Sequence, residues 1–474
     1  MRYNKVDEKI IERLKNIVGE RNVTMDPEKL EVYSHDEEGQ PRVEIPPEVV
    51  VFPETTEQVS EIMKLANEEL IPVTPRGAGT GLSGGAVPLY RGIVLSLEKM
   101  NKILELDEKN LTITVEPGVV TGEIQKFANR HGLLYAGDPC SGDSSFIGGN
   151  VAENAGGNKV IKYGPTGNHV LGLEVVLPSG EITFFGGKRV KDVTGYNLVQ
   201  LMVGSEGTLG IITKIILRLL PLPKYVVDLL VPFKTLREAI DFVPVIVREG
   251  KIIPTSIEFM DKPSLLLTEE FLNLKLPYDD AEAQLIIELE SSNKSAVEDD
   301  YERIGNLCFK HGALEVFVAD NRNTREKIWR IRKSIAEAVN ALYPANCLED
   351  VVVPTSNIPE LMREVERISQ EHAIKAISYG HAGDGNVHVT FLKDEKDSQE
   401  EWVKKLKDAL KDLYVVTKNL GGTISGEHGI GLKRRDYMEL VVDKAQINLI
   451  KSIKRAIDPN MILNPGKIVR FEEL

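Results

Sequence analysis

Glycine placement constrains this chain more than any other feature. Its 39 glycines are an ordinary number for 474 residues, but they gather in a few segments. Pro75–Gly85 carries Gly77, Gly79, Gly81, Gly84 and Gly85. A second clump runs from Gly137 to Gly167 and includes Gly142, Gly148, Gly149, Gly156, Gly157 and Gly164. A third is Val203-Gly204-Ser205-Glu206-Gly207-Thr208-Leu209-Gly210-Ile211-Ile212. Such segments make poor helix or strand interiors, and they place backbone N–H groups where a side chain would block them. Successive N–H groups pointing into one concavity bind anions such as a pyrophosphate, and Arg76 adds a charge to the first clump. The first clump does not sit in a strand–turn–helix unit with an acidic residue about 20 positions on, so a nicotinamide-type site is disfavoured. Three separated clumps suit a long dinucleotide lying across several loops.

Length and charge bound the remainder. A chain of 474 residues is long enough for two or more domains, and a net charge of −14 argues against nucleic acid and anionic membrane as main partners. Cys140, Cys308 and Cys347 are far apart and form no CxxC pair, which disfavours an iron–sulfur cluster, a zinc ribbon or a disulfide framework held by this chain. Met1–Gly19 lacks the apolar core of a signal peptide, and the apolar stretch Ile211–Phe233 is interrupted by charges and prolines. A reducing, cytoplasmic setting is expected. The glycine clumps stop near Pro221-Leu222-Pro223, and longer amphipathic helices follow. The organisation expected is a helical lead-in over 1–45, a glycine-rich domain over 46–225, a second domain over 226–455 and a C-terminal tail over 456–474.

The second half carries a different signature. Ala376–Gly380 leads into His381-Ala382-Gly383-Asp384-Gly385-Asn386-Val387-His388, and Val389–Leu392 follows. Asp-Gly between two β-rich runs predicts a hairpin with a two-residue turn. Pairing Gly383 with Asn386 then sets His381 directly opposite His388, with both imidazoles on one face and able to share an ion. The companion motif is Gly421-Gly422-Thr423-Ile424-Ser425-Gly426-Glu427-His428-Gly429. Glu427 is a natural third ligand, since two imidazoles and a carboxylate leave open positions on a divalent ion such as zinc, iron or manganese. His428 has the chemistry of a general base.

The three glycine segments together resemble the FAD-binding domain of the vanillyl-alcohol oxidase and p-cresol methylhydroxylase superfamily. Within it the chain is most similar to glycolate oxidase D-subunits, D-lactate dehydrogenases and D-2-hydroxyglutarate dehydrogenases. The resemblance implies an α+β fold: a two-subdomain FAD-binding domain, an α+β substrate (cap) domain with an antiparallel sheet, and a C-terminal tail returning to the FAD domain. It implies that Pro75, Arg76, Gly77, Ala78, Gly79, Thr80, Gly81 and Ser83 wrap the pyrophosphate. Gly142, Ser144, Ser145, Gly148, Gly149, Asn154 and Gly164 would line the nucleotide and ring, and Glu206, Gly210 and Ile212 would finish the pocket. Asn464 and Lys467, in the closing segment Asp458–Lys467, would lie near FAD. Gly81-Leu82-Ser83 offers no histidine, cysteine or tyrosine, so the FAD is expected to be non-covalent.

In such relatives, positions matching His381, His388 and Glu427 bind a divalent metal, and the position matching His428 is the proposed base. Asn386 would lie beside the substrate. Arg332 would clamp its carboxylate, with Arg325, Arg330 and Lys333 as neighbouring competitors. The activity implied is oxidation of a small D-2-hydroxyacid, D-lactate first and glycolate second, with hydride passing to flavin N5. The match departs between Ala336 and Asp350, where Ala336 and Leu348 stand in place of groups that hold a second carboxylate. Electrons would go to an electron-transfer flavoprotein, a separate iron–sulfur subunit, a quinone, a cytochrome or oxygen, with the acidic character favouring a protein partner, and a homodimer is compatible. Two other readings share the fold: a redox-neutral transferase like alkyl-dihydroxyacetonephosphate synthase, and a non-catalytic flavin subunit.

Overall fold

The computed structural model describes residues 3–38, 42–277 and 280–471. The expected lead-in and tail extend beyond them to residues 1–2, 39–41 and 472–474. The first sheet orders Val23–Thr24, Val49–Val51, Ile93–Ser96 and Val73–Arg76, the last three mutually parallel. Val49–Val51 is buried on both faces, which is why it reads as an unbroken apolar run rather than an alternating one. Helix Thr56–Glu68, capped by Thr55, presents Val59, Ile62, Met63 and Ala66 to this sheet. The second sheet is antiparallel: Ile103–Asp107, Thr112–Val115, Ile211–Arg218, Val170–Val176 and Ile182–Gly186. The first and third glycine segments are mainly loops flanking these two sheets, whereas the second includes the short helices Ile147–Glu153, which carries Gly148 and Gly149, and Val160–Tyr163.

The third sheet has seven antiparallel strands, in the order Phe317–Ala319, Tyr225–Phe233, Ala283–Ser291, Ser256–Asp261, Lys375–His381, Asn386–Leu392 and Asn346–Val352. Period-two alternation separates its faces. Leu229, Val231, Ile257, Phe259, Val387, Val389 and Phe391 pack into one core with helices Leu236–Arg248, Ile358–Glu371 and Gln399–Asn419. Leu230, Met260, Ile377, Tyr379 and Leu392 pack on the other face with Ile328, Ile331 and Ile335. Each buried Leu, Ile or Phe contributes about 1.5–3 kcal/mol, so register is strongly specified on both faces. The polar residues Glu258, His381, His388 and Asp350 share the second face, in a row across four neighbouring strands.

The hairpin differs from the sequence expectation. His381 pairs with Asn386 and Tyr379 with His388, so the loop spans four residues and His381 is diagonal to His388. Gly383 N–H donates sideways to Ile257 O (3.1 Å) and is unavailable to pair with Asn386. His381 O closes the turn by accepting from Asp384 and Gly385 N–H (3.3 and 3.2 Å). A register shift of two residues keeps every side chain on its face. The ring centroids are accordingly 5.3 Å apart.

The tail does return to the first sheet. Val73 N–H donates to Ile462 O (2.8 Å) and Asn464 N–H to Val73 O (2.7 Å), so Leu463 lies as a parallel bridge beside Val73. Buried Lys454 ties helix Lys444–Ile457 to this junction by donating to Thr208 O and Leu463 O, both at 2.7 Å. Among the described residues, no helix is long and apolar enough to cross a membrane.

Candidate active site

A cavity of about 670 Å³ runs between the glycine loops and the seven-stranded sheet. Pro75, Arg76, Gly77, Ala78, Gly79, Thr80 and Gly81 line it from the first clump, and Gly148 and Gly149 from the second. Glu206, Gly210 and Ile212 line it from the third, and Asn464 from the tail. The residues present fit a dinucleotide. A Cβ placed on Gly149 meets no atom within 4 Å, so a side chain there would occupy the space a cofactor needs. Gly149→Leu is expected to fold normally and to purify largely without flavin, read as the 450 nm to 280 nm absorbance ratio.

The other expected cofactor residues stand back from the wall. Ser83 O accepts from Leu432 and Lys433 N–H, Gly142 O accepts from Gly122 N–H, and Ser144 lies at the surface. Ser145 is buried, with its backbone O taking Thr121 N–H. Asn154 Oδ1 accepts from Gly167 N–H (2.8 Å), and Gly164 ends helix Val160–Tyr163 at φ +78°. Arg76 lines the cavity, and its guanidinium is also engaged from behind. Its guanidinium is turned back under the loop, donating to His35 O (2.7 Å) and Val32 O (3.3 Å) over the Tyr33 ring. Those two carbonyls, with the Asp36 charge nearby, let Arg76 brace the loop from which it lines the cavity. Lys467 is likewise engaged, with Val87 O (2.5 Å) and Asn464 Oδ1.

At the opposite wall, Glu427 Oε1 sits among three imidazoles. His388 Nε2 is 3.3 Å away, His381 Nε2 3.5 Å and His428 Nε2 3.7 Å. His381 Nε2 is buried with no hydrogen-bond partner, although the other ring nitrogen is fully used. That nitrogen, Nδ1, lies 2.8 Å from Glu258 Oε1, which fixes ring orientation and leaves Nε2 facing Glu427. The donor set fits a divalent ion at His381, His388 and Glu427. Burial would raise the Glu258 pKa, but His381 and Arg332 hold it below the ordinary carboxylate range.

Arg332 meets the same carboxylate from its other side. Its Nη2 is 2.6 Å from Glu258 Oε2, and its guanidinium lies 5.0 Å over the Tyr379 ring. It is 2% exposed, and its Nε lacks a hydrogen-bond partner, which leaves directional capacity for a further anion. Of the competing cations, Arg325 is spent on Asp228 and Glu288, while Lys333 lines the cavity.

Asn386 is engaged at the sheet. It is buried behind the wall, and its amide N–H groups donate to Asp350 Oδ1 (2.7 Å) and Val351 O (3.2 Å). Those two acceptors hold its amide against strand Asn346–Val352.

The loop Ser425–Gly431 brings Glu427 and His428 to the cavity. Glu206 accepts Ile430 and Gly431 N–H, both at 2.7 Å, and so clamps this loop to the third glycine segment. Gly156 of the second clump is also part of the fit, since a Cβ there would fall 2.4 Å from Glu427 Oε2. The His428 ring stacks on His388 at 5.4 Å and 11°. Burial holds its pKa below the ordinary histidine value, against the opposing pull of Asp350 and Glu427.

Sequence reasoning did not find Glu258, Asp350, Tyr379 or Cys140. Tyr379 and Cys140 both line the cavity. A signal for Glu258 existed only in strand pairing, because 123 residues separate it from His381.

Comparison with known proteins agrees with this architecture. Residues 47–186 match the FAD binding domain family, and residues 222–468 match the family of FAD linked oxidases, C-terminal domain. The chain therefore belongs to the FAD-linked oxidases, and it is a flavoprotein oxidoreductase that uses FAD. It shares the fold of p-cresol methylhydroxylase, with a TM-score of 0.79 and 18% identity over 97% of this chain and 96% of that one. It is 40% identical over 437 residues to glycolate oxidase subunit GlcD of Bacillus subtilis, covering 92% of each chain. It is 39% identical over 476 residues to a D-lactate dehydrogenase of Anaerostipes hadrus, covering 98% of each.

Proposed function

We propose that this protein oxidises a small D-2-hydroxyacid to the 2-oxoacid, with D-lactate as the first substrate and glycolate as the second. The observation that carries this reading is Glu427 Oε1 lying 3.3–3.7 Å from three imidazole Nε2 atoms on the wall of the cofactor cavity. His381, His388 and Glu427 would hold a divalent ion, which when bound supplies Lewis-acid charge to the substrate hydroxyl and carboxylate. FAD, when bound, supplies the two-electron acceptor for the Cα–H bond. His428 accepts the hydroxyl proton at Nε2. Arg332 contributes positive charge for the substrate carboxylate, with Glu258 fixing its position. Ala336, Leu348 and Val339 line the cavity and favour a short, uncharged substituent on Cα. The electrons pass on to a protein acceptor, an electron-transfer flavoprotein or an iron–sulfur subunit, because an acidic chain with no CxxC pair has no relay of its own.

The test is anaerobic mixing of the flavin-loaded protein with D-lactate, L-lactate, glycolate and D-2-hydroxyglutarate, followed by flavin absorbance. Fastest bleaching with D-lactate is expected, and no bleaching with any of the four defeats the reading. Dialysis against a strong chelator is expected to lower turnover about 100-fold, with recovery on adding Mn²⁺ or Zn²⁺. Undiminished turnover in the chelated protein rules out the metal.

A further inference from the structure

We infer that Asp350 is the positioning residue of the loop that carries Glu427 and His428, and that it is not a metal ligand. The inference rests on the reading of the site given above. Asp350 lies within ligand distance of the same cluster: its carboxylate and the donor atoms of His388, Glu427 and His428 all fall within 4.8 Å of one another. What surrounds it decides its role. Oδ2 accepts from Ser425 Oγ (3.0 Å), Gly426 N–H (3.0 Å), Glu427 N–H (2.9 Å) and His428 N–H (2.8 Å). Oδ1 accepts from Asn386 Nδ2 (2.7 Å).

A carboxylate offers about four lone-pair sites, and five donors already converge on this one. Three consecutive amides aimed at one oxygen form an anion-binding nest, and hydrogen bonds to an ionised acceptor are roughly twice as strong as neutral ones. The carboxylate is one methylene away from strand Asn346–Val352, where Asp350 pairs with His388. Bridges from Asp350 to Ser425 and from Val352 to Thr423 lay the loop against that strand. The third metal position and the base are therefore hung from a single rigid point, 77 and 78 residues away in sequence.

The test compares FAD-loaded wild type, Asp350→Asn and Asp350→Ala by three readouts. Amide hydrogen exchange over the 425–430 segment, followed by mass spectrometry, is expected to be at least about tenfold faster in Asp350→Ala. The dissociation constant for Mn²⁺, used as the probe, is expected to rise about 10–100-fold. The limiting rate of flavin reduction by D-lactate, measured at saturating Mn²⁺, is expected to fall about 100-fold. Asp350→Asn keeps one carbonyl acceptor for the amides and should fall between the two on every readout. If Asp350→Ala does not fold, the isosteric Asp350→Asn carries the same comparison. Wild-type exchange and limiting rate in Asp350→Ala overturn the inference. So does complete loss of Mn²⁺ binding with unchanged amide exchange, which is the signature of a direct ligand. If the wild type is not reduced by any hydroxyacid, the functional reading falls, while exchange and Mn²⁺ affinity still decide the role of Asp350.

Discussion

Replacing His428 with Asn is expected to slow flavin reduction by substrate about 10²–10⁴-fold while leaving FAD bound. His428 reaches the cavity, but it is held from elsewhere. Its backbone N–H is anchored on Asp350, and the loop beyond it on Glu206. Neither anchor uses the imidazole. Asn preserves approximate size and hydrogen-bonding capacity while removing the basic nitrogen, so it separates proton transfer from packing. Rapid anaerobic mixing with D-lactate measures the rate, and flavin absorbance before mixing measures FAD content. Fast bleaching in this variant removes His428 as the base. Loss of FAD would assign the ring to cofactor binding instead.

The second large effect is on stability. Arg434 and Glu349 form an ion pair at 3.0 Å with neither side chain exposed. Arg434 Nη1 also donates to Gly429 O (3.0 Å), and Glu349 Oε2 accepts from Tyr414 O–H (2.6 Å). Burial alone would raise the Glu349 pKa, but Arg434 and Lys433 hold it below the ordinary range. Arg434→Met leaves that carboxylate buried with Lys433 at 3.3 Å as its remaining cation and Tyr414 and Cys347 as hydrogen-bond donors, and should cost about 3 kcal/mol. Urea unfolding at saturating FAD measures the loss. The double variant Arg434→Met/Glu349→Leu should recover part of it, since the apolar pair needs no desolvation while buried Lys433 and Tyr414 O–H lose an acceptor. A single variant as stable as wild type would show the pair to be a passive one.

Some of this was legible in the sequence and some was not, for physical reasons. The histidine hairpin was read with the wrong loop length, yet both imidazoles were placed on the correct face, because a two-residue slip preserves the alternation of a strand. The glycine segments were legible as a cradle, since absence of a side chain leaves a mark in sequence. Where Arg76 points was not, because its guanidinium follows carbonyls on a loop more than 40 residues earlier. Glu258 and Asp350 were invisible for a related reason. Each acts across strand neighbours that are distant in sequence, and nothing local distinguishes them from other acidic residues in strands. Gly156 carries a further lesson: it belongs to the cofactor clump, yet its bareness admits Glu427 from the other half of the chain.

The bridge between Leu463 and Val73 bears on how the protein is made. Domains generally fold as they emerge, N-terminal parts first, at about 5–20 residues per second. Here the last wall of an early-synthesised cradle is supplied by residues near the C-terminus, with Asn464 Nδ2 donating to Gly85 O (3.1 Å) and Glu206 O (2.8 Å). The pocket is therefore complete only when Leu463 and Asn464 are docked, so it joins segments that are made far apart in time.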